Sequence, residues 1–155
     1  FAEFGPGDLQ DFLAQTVGVS YEAGEKILAE GESGRQMYII LSGKVAVMRK
    51  SGKRPVHLMN LGPGESFGEM SLVLPANIGR TASIHALERT AALRLDYDNL
   101  ARIPDTAAKL YRNLARTLAT RLKISTDLVV FQMQHGADIP AVATIGKMPR
   151  KKTDY

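Results

Sequence analysis

The sequence predicts a mainly β fold with helices at both ends. Between Val17 and Asp96, short runs rich in valine, isoleucine and leucine alternate with glycine-containing turns. Residues 7–16 and the residues after Asp96 instead repeat their apolar side chains at helical spacing. Regularly spaced short strands and turns favour an antiparallel sandwich or barrel over alternating strand–helix–strand units.

The strands and the first helix follow from local patterns. In the predicted helix 7–16, Leu9, Phe12 and Leu13 lie on one face. Six segments combine β-branched or other apolar residues with flanking turn residues, and they are predicted to be strands: 26–29, 37–41, 45–48, 56–59, 82–86 and 91–95.

A long helix is predicted after the strands. A short helix ends near Ile103, and Pro104, which lacks an amide proton, suits the first turn of a new helix. Leucines then recur every fourth residue, and helical periodicity continues from Asp105 to Gln134. At ~1.5 Å per residue such a helix is about 45 Å long, more than a domain of this size covers. We therefore expect the distal part to form a homodimer, with intramolecular core packing as the alternative.

The composition argues against a membrane-spanning protein and against a disulfide-containing one. With 155 residues, 45% of them hydrophobic and 23% charged, the chain is long enough for one domain with a proper core. It contains no apolar run near the ~20 residues that a membrane span needs, and no signal peptide is visible. The absence of cysteine excludes disulfides and thiolate metal sites and fits a reducing cytoplasm.

The last residues are basic. The net charge is +4, and the final nine residues carry Lys147, Arg150, Lys151 and Lys152. We interpret this run as a solvated, flexible end, with nucleic acid or anionic lipid as alternative partners. The expected organisation is a ligand-binding domain at 1–103, a dimerisation and relay helix at 104–135 and a tail at 136–155. Because the chain begins at Phe1, a further domain outside it is also considered.

The most informative segment is 62–82. A glycine-rich turn leads into Phe67, Gly68 and Glu69, and a single arginine, Arg80, follows a short apolar stretch. Glycines let the backbone approach a ligand closely, and a helix that starts there offers its amides to an anion. An arginine fork suits a phosphate, and a carboxylate can accept hydrogen bonds from a sugar hydroxyl. The segment therefore predicts a ligand that is part phosphate and part ribose.

An ordered series of motifs extends this prediction. From about Val19 to Gln134 the chain resembles the cyclic nucleotide-binding domain family, which includes catabolite activator protein, cyclic nucleotide-dependent kinases and gated channels. The resemblance implies an antiparallel β-jelly roll, or double-stranded β-helix, flanked by an N-terminal helix and a long C-terminal helix. The matching elements are Gly24-x-x-Ile27, Glu30-Gly31-Glu32-x-Gly34, Met37-Tyr38-Ile39-Ile40-x-x-Gly43-x-Val45, Leu61-Gly62-x-Gly64-Glu65-x-Phe67-Gly68-Glu69 and Arg80-Thr81-Ala82.

The resemblance also implies roles for single residues. Arg80 matches the arginine that binds the cyclic phosphate, and Glu69 matches the acid that takes the ribose 2′-hydroxyl. Thr81 matches a position that adds a phosphate or base contact. The remaining ligand-binding positions are Gly68, Met70 and Ser71 at the start of the short helix, Ala82 after Thr81, and the apolar Val47, Leu58 and Leu61, for which plain core packing is an equal alternative. Glu69 and Arg80 are further apart than in most members, which implies a longer loop.

Residues 121–127 are similar to the dimer helix of the catabolite activator proteins. By this resemblance Ser125 and Thr126 read the base, and Arg121 orients Glu69. A solvent-facing Ser-Thr pair is the alternative. The implied ligand is cAMP, with cGMP left open because Thr81 also occurs in domains that accept guanine.

Two other functions fit the sequence less well. A cupin-type metalloenzyme needs histidines and acids that converge on a metal, but His57, His85 and His135 lie on separate predicted elements. A DNA-binding regulator needs a further domain, and twenty-one residues after Gln134 are too few for one. We therefore expect a regulatory sensor, not an enzyme, with no metal and no nucleic-acid partner. A truncated or atypical CRP-like transcription regulator is the alternative.

Overall fold

Two β-sheets face each other in the structure, a computed structural model that describes residues 1–135 and 143–144. The first sheet has the strand order β1 (Thr16–Tyr21), β8 (Thr90–Asp96), β3 (Gln36–Ser42) and β6 (Ser66–Phe67). The second has the order β2 (Lys26–Leu28), β7 (Ser83–Ala86), β4 (Val45–Ser51), β5 (Arg54–Leu61) and β9 (Ala143–Thr144). Only the β5–β9 pair among these is parallel.

Helices lie at both ends of the sandwich. Helix α1 spans Pro6–Ala14, the short α2 spans Met70–Val73, and a 3₁₀ helix, Tyr97–Arg102, leads into the long α3, Pro104–His135. This arrangement confirms the predicted fold class, a β-jelly roll flanked by an N-terminal and a long C-terminal helix. None of the described helices is both long and apolar enough to span a membrane.

Strand β3 lies between two hydrophobic cores, which explains its unbroken apolar run. Its side chains alternate, so Met37 and Ile39 pack against the helices while Tyr38 and Ile40 pack between the sheets. The Tyr38 ring also stacks on Phe67 with the centroids 4.8 Å apart. This central strand therefore fixes the helical layer and the second sheet relative to each other.

The β4–β5 hairpin contains a bulge. Val47 pairs with Met59 but Met48 pairs with His57, so Leu58 has no opposite residue on β4. One extra residue reverses the alternation of the strand beyond it. Met59 and Leu61 consequently face the interior of the sandwich, whereas His57 faces outward with Met48.

Helix α3 changes its environment along its length. In the proximal half, residues 104–117, Leu110 and Leu114 are among the most buried side chains of the core. In the distal half, residues 118–135, Leu122 is 68% exposed and Met133 is 82% exposed. Along the leucine repeat, Leu110 and Leu114 are thus buried, Leu118 is half-buried and Leu122 is exposed.

Some local predictions differ from the structure. The strands β1, β6 and β9 were not predicted, and because β1 begins at Thr16, α1 ends two residues earlier than expected. Of the three apolar residues on α1, Phe12 is buried but Leu9 and Leu13 are each 45% exposed. Apart from the two residues of β9, the predicted basic tail at 136–155 lies outside the described residues.

Candidate functional site

A pocket of about 130 Å³ opens between the inner face of the second sheet, the segment 67–82 and helix α3. Strands β4, β5 and β7 supply apolar side chains, α2 and its flanking loops supply the polar groups, and α3 supplies one arginine. Most of the predicted site residues line this pocket: Val47, Leu61, Gly68, Glu69, Met70, Ser71, Arg80, Thr81, Ala82 and Arg121.

Arg80 is the central cation of the pocket. Its side chain is buried, and Nη1 donates to the carbonyl oxygen of Gln36 at 2.8 Å and to Oγ of Ser71 at 3.0 Å. Nη2 donates to Oε1 of Gln36 at 3.0 Å. Burial lowers the pKa of the Arg80 guanidinium, which starts from such a high value that it stays protonated at neutral pH. No carboxylate forms an ion pair with Arg80 among residues 1–135, so its charge is uncompensated.

Two glycines position Arg80. Gly68 has a φ of 77°, and a Cβ atom there would lie 2.7 Å from the Gln36 carbonyl oxygen. A Cβ on Gly79 would collide with the carbonyl oxygen of Gly31. The close approach at Gly79 allows a backbone hydrogen bond of 2.8 Å from the Gly31 amide to the Arg80 carbonyl. Only glycine fits at these positions, and the fit fixes where the Arg80 side chain starts.

The start of α2 contributes a hydroxyl group. The amide of Ser71 donates to the Gly68 carbonyl at 3.2 Å, and the amide of Leu72 donates to the Glu69 carbonyl at 3.0 Å. These two amides therefore have partners, although the resemblance implied that the amides of this helix face a phosphate. Oγ of Ser71 accepts from Arg80 and donates to the Gly68 carbonyl at 2.8 Å.

Glu69 and Arg121 form a buried ion pair across the pocket. Glu69 is 1% exposed, and one of its carboxylate oxygens accepts from Nη1 of Arg121. Nη2 of Arg121 donates to the carbonyl oxygen of Ser66, so the arginine ties α3 to the turn before α2. Burial lowers the pKa of the Arg121 guanidinium, and its Nε is buried without an acceptor. The expected contact between Arg121 and Glu69 is present.

The charges of the pocket sum to +1. Glu69, Arg80 and Arg121 are the charged residues among its lining. Because Glu69 is neutralised by Arg121, the positive charge that remains is that of Arg80. A single enclosed cation favours a ligand with one negative charge.

Three predicted residues lie elsewhere. Leu58 is 38% exposed and outside the pocket, because it lies three residues before Leu61 and the side chains of a strand alternate between its two faces. Ser125 and Thr126 are exposed on the distal half of α3, where the Thr126 hydroxyl donates to the Leu122 carbonyl at 2.9 Å. Ser125 lies one helical turn beyond Arg121 and on the same side of the helix.

Several lining and supporting residues were not predicted from the sequence. Met59 lines the pocket in place of Leu58, and counting back two residues from Leu61 would have found it. Gln36 holds Arg80 through two acceptors but comes from β3, forty-four positions away, and no local signal identifies it. The other lining residues that were not predicted are Leu28, Phe67, Leu74, Ile78, Gly79 and Ile84.

Among the described residues, no three histidine or acidic side chains are placed to hold a metal ion. His57 and His85 both lie on the outer face of the second sheet, opposite the pocket.

Comparison with known families and relatives gives a consistent result. The profile of the family described as the cyclic nucleotide-binding domain matches residues 18–106. The CRP-like cAMP-activated global transcriptional regulator of Mycobacterium tuberculosis is 33% identical over 129 residues, which are 80% of this chain and 57% of that protein. Glutaminase 2 of Bradyrhizobium diazoefficiens is 39% identical over 106 residues, which are 66% of this chain and 16% of that protein. This chain thus corresponds to a part of each relative's length.

A solved structure has the same fold. The catabolite activator protein of Thermus thermophilus matches with a TM-score of 0.69 and 34% identity, over 85% of this chain and 63% of that one.

Proposed function

Because the chain belongs to the cyclic nucleotide-binding domain family, we propose that the pocket described above binds a 3′,5′-cyclic purine nucleotide and prefers cAMP to cGMP. The observation that carries this proposal is the uncompensated, buried Arg80. A cyclic phosphodiester has one negative charge, which matches the net charge of +1 in the pocket.

Arg80 binds the cyclic phosphate in this proposal. Its present acceptors are neutral carbonyl, amide and hydroxyl oxygens, and phosphate oxygens are stronger acceptors for a guanidinium. Gln36 keeps the fork oriented while the phosphate binds, and the Ser71 hydroxyl lies 3.0 Å from Nη1 to add a further contact. Gly68, Met70, Thr81 and Ala82 complete the wall around the phosphate.

Glu69 accepts the ribose 2′-hydroxyl. Its carboxylate is buried next to the anionic ligand, an arrangement that is stable because Arg121 compensates its charge. Arg121 also offers a buried Nε without an acceptor, which is a donor available at the sugar end of the site.

The base lies against Val47, Leu61 and Met59 and extends toward α3. We propose that Ser125 and Thr126 read adenine from this helix, since Ser125 is one turn beyond Arg121. The cAMP preference is supported by the printed names of two relatives, the cAMP-activated regulator of Mycobacterium tuberculosis and the cyclic AMP receptor protein of Thermus thermophilus.

The proposed role is that of a sensor and not of an enzyme. Residues 1–103 bind the ligand, and α3 forms a parallel homodimer and relays occupancy through Arg121, the residue that joins the distal half to the pocket. The exposed Leu122, Val129 and Met133 support the dimer seam. The proposal also includes a cytoplasmic location, which the lack of cysteine favours, and no contact with nucleic acid.

A second candidate is the sensor part of a CRP-like transcription regulator. The observation in its favour is that the chain matches 57% of such a regulator from Mycobacterium tuberculosis. In this version the ligand site is the same, and the output comes from residues outside the chain.

Calorimetric titration of the wild type with four nucleotides tests the ligand class. We expect cAMP to bind more tightly than cGMP, and 2′-deoxy-cAMP and 5′-AMP to bind more weakly because one lacks the hydroxyl and the other the cyclic phosphodiester. In Glu69→Gln, cAMP affinity should fall toward that of 2′-deoxy-cAMP, which should itself change little. Equal binding of 5′-AMP and cAMP contradicts the phosphate assignment, and tighter binding of cGMP contradicts the base assignment.

A further inference from the structure

We propose that the protein has a second ligand site, for an amphipathic anion, on the outer face of the second sheet. The outer groove is the concave surface formed by β2, β7, β4 and the start of β5, on the opposite side of the sheet from the nucleotide pocket. Its ligand is a carboxylate, or an acid of the same charge, attached to an apolar body such as an alkyl chain.

Strand pairing builds the floor of the outer groove. Lys26 and Ala46 are both paired with His85, and in the next row Met48 lies between Ser83 and His57. His57 reaches this face only because the bulge at Leu58 reverses the alternation of β5. The bulge thus places His57 in the outer groove, while Met59 and Leu61 face the nucleotide pocket on the other side of the sheet.

The groove is large and its floor is apolar. It encloses about 570 Å³, compared with about 130 Å³ for the nucleotide pocket. A volume in the range of ~300–1,000 Å³ and a predominantly apolar lining are typical of sites for small organic ligands. Met48, a flexible side chain that adapts to the shape of its partners, lies at the centre of the floor with Ala46 and Pro55 beside it.

The rim of the groove is positively charged. Its acidic residue, Glu30, lies 3.8 Å from Nε of Arg49 and also accepts a hydrogen bond from the backbone amide of Lys50. Lys26, Lys50 and Lys53 form no ion pair with the described residues. Three cations around an apolar floor are complementary to a ligand that has an acidic head and an apolar body.

Other ligand classes match the groove less well. A nucleic-acid strand needs aromatic side chains for base stacking, and the lining contains none apart from the two histidines. A simple inorganic anion makes no use of the apolar floor. An amphipathic anion contacts both the cationic rim and the apolar floor, so it matches the groove better than either of these two classes.

Titration of the full chain with decanoate tests this site, with octyl glucoside as the neutral amphiphile and acetate as the simple anion. We expect saturable binding of one decanoate and weaker binding of the other two probes. Lys50→Glu/Lys53→Glu should weaken decanoate about tenfold, because two exposed cations are replaced by anions. Lys44→Glu/Arg54→Glu makes the same change of net charge outside the groove and should alter the affinity less than about twofold.

Two further variants separate this site from the nucleotide pocket. Met48→Glu places a carboxylate on the floor and should abolish decanoate binding, whereas Arg80→Ala should leave it unchanged. Circular dichroism establishes that each variant is folded. No saturable decanoate binding, equal binding of octyl glucoside or acetate, or equal losses in the two double variants would each overturn the proposal. Saturable binding of an acidic peptide in place of decanoate would also overturn it and would indicate a protein-docking surface.

Discussion

The two halves of α3 share one sequence pattern but have different surroundings. In the proximal half, Leu110 and Leu114 are 1% and 3% exposed within the core that contains Phe12 and Met37. In the distal half, Leu122 is 68% exposed although it continues the same four-residue repeat. Arg121 is the residue at which the distal half still contacts the sandwich, through Glu69 and Ser66.

This difference shows that a continuous apolar stripe can serve two purposes. The proximal half stabilises the monomer, since its leucines are removed from water by folding. The distal half presents apolar side chains that a second copy can cover, and its ion pair with Glu69 is the proposed route by which ligand occupancy reaches it. The helix therefore connects the core, the proposed ligand site and the proposed dimer seam in that order along the chain.

The largest expected difference between the halves is in stability. Leu114→Ala should reduce the free energy of unfolding by about 2–5 kcal/mol, because it leaves a cavity in the core. Leu122→Ala should change it by less than about 0.5 kcal/mol in the monomer, because its side chain is exposed. Urea denaturation at low protein concentration measures both values. Similar losses in the two variants would show that the halves are not distinct.

Arg121→Ala removes the side chain through which the distal half of α3 contacts Glu69 and Ser66. It leaves the buried Glu69 carboxylate without its cation and should cost about 2 kcal/mol of stability, less than the ~3–5 kcal/mol of a fully enclosed pair, because the Arg121 side chain is 18% exposed. Arg116→Ala, which removes an exposed pair with Glu3, is the control and should cost less than about 1 kcal/mol. Equal stability of the two variants would show that the contacts of Arg121 do not hold α3 against the sandwich.

Leu122→Glu addresses the dimer. A carboxylate in the proposed seam should weaken self-association at least tenfold, about 1.4 kcal/mol, while the stability of the monomer stays nearly constant. Because ligand binding and association are coupled in both directions, cAMP should tighten the wild-type dimer and do so less in this variant. Sedimentation at several concentrations, with and without cAMP, provides the measurement. A wild type that stays monomeric throughout contradicts the dimer relay but not the ligand site.

The smallest expected effect is on cAMP affinity, when the neighbouring hydroxyl groups of Ser125 and Thr126 on the distal half are removed one at a time. The Thr126 hydroxyl already donates to the Leu122 carbonyl and is left with its acceptor lone pairs for the base, so Thr126→Ala should lower cAMP affinity less than Ser125→Ala. Ser125→Ala should lower it about threefold, consistent with the loss of one neutral hydrogen bond. Competition binding with cAMP and cGMP compares the two variants. No effect of either substitution would indicate that α3 does not read the base.

The sequence predicted the features that rest on local patterns. The position of α3 and six of the strands follow from periodicity and turn residues, and Glu69 and Arg80 follow from the motif at 62–82. The contact between Arg121 and Glu69 was implied by the family resemblance alone. The bulge at Leu58 was not predictable in this way, because a single extra residue leaves no mark in composition, and it turned His57 to the outer face of the second sheet.

Long-range contacts account for most of the rest. Gln36 supports Arg80 only because β3 lies beside the 67–82 segment in the folded chain. The repeat from Leu110 to Leu122 gives no sign of where the sandwich ends, so the division of α3 into a buried and an exposed half also needed the structure.

Calorimetric titration of cAMP into Arg80→Ala determines whether Arg80 binds the cyclic phosphate. Loss of a charge-assisted contact from an enclosed site typically costs ~2–5 kcal/mol, which predicts a loss of affinity of roughly 30-fold to several thousand-fold. Arg80→Lys, which keeps the charge but not the planar fork, should lie in between, and Arg94→Ala, outside the pocket, should bind like the wild type. Wild-type affinity in a folded Arg80→Ala protein would show that Arg80 does not bind the phosphate.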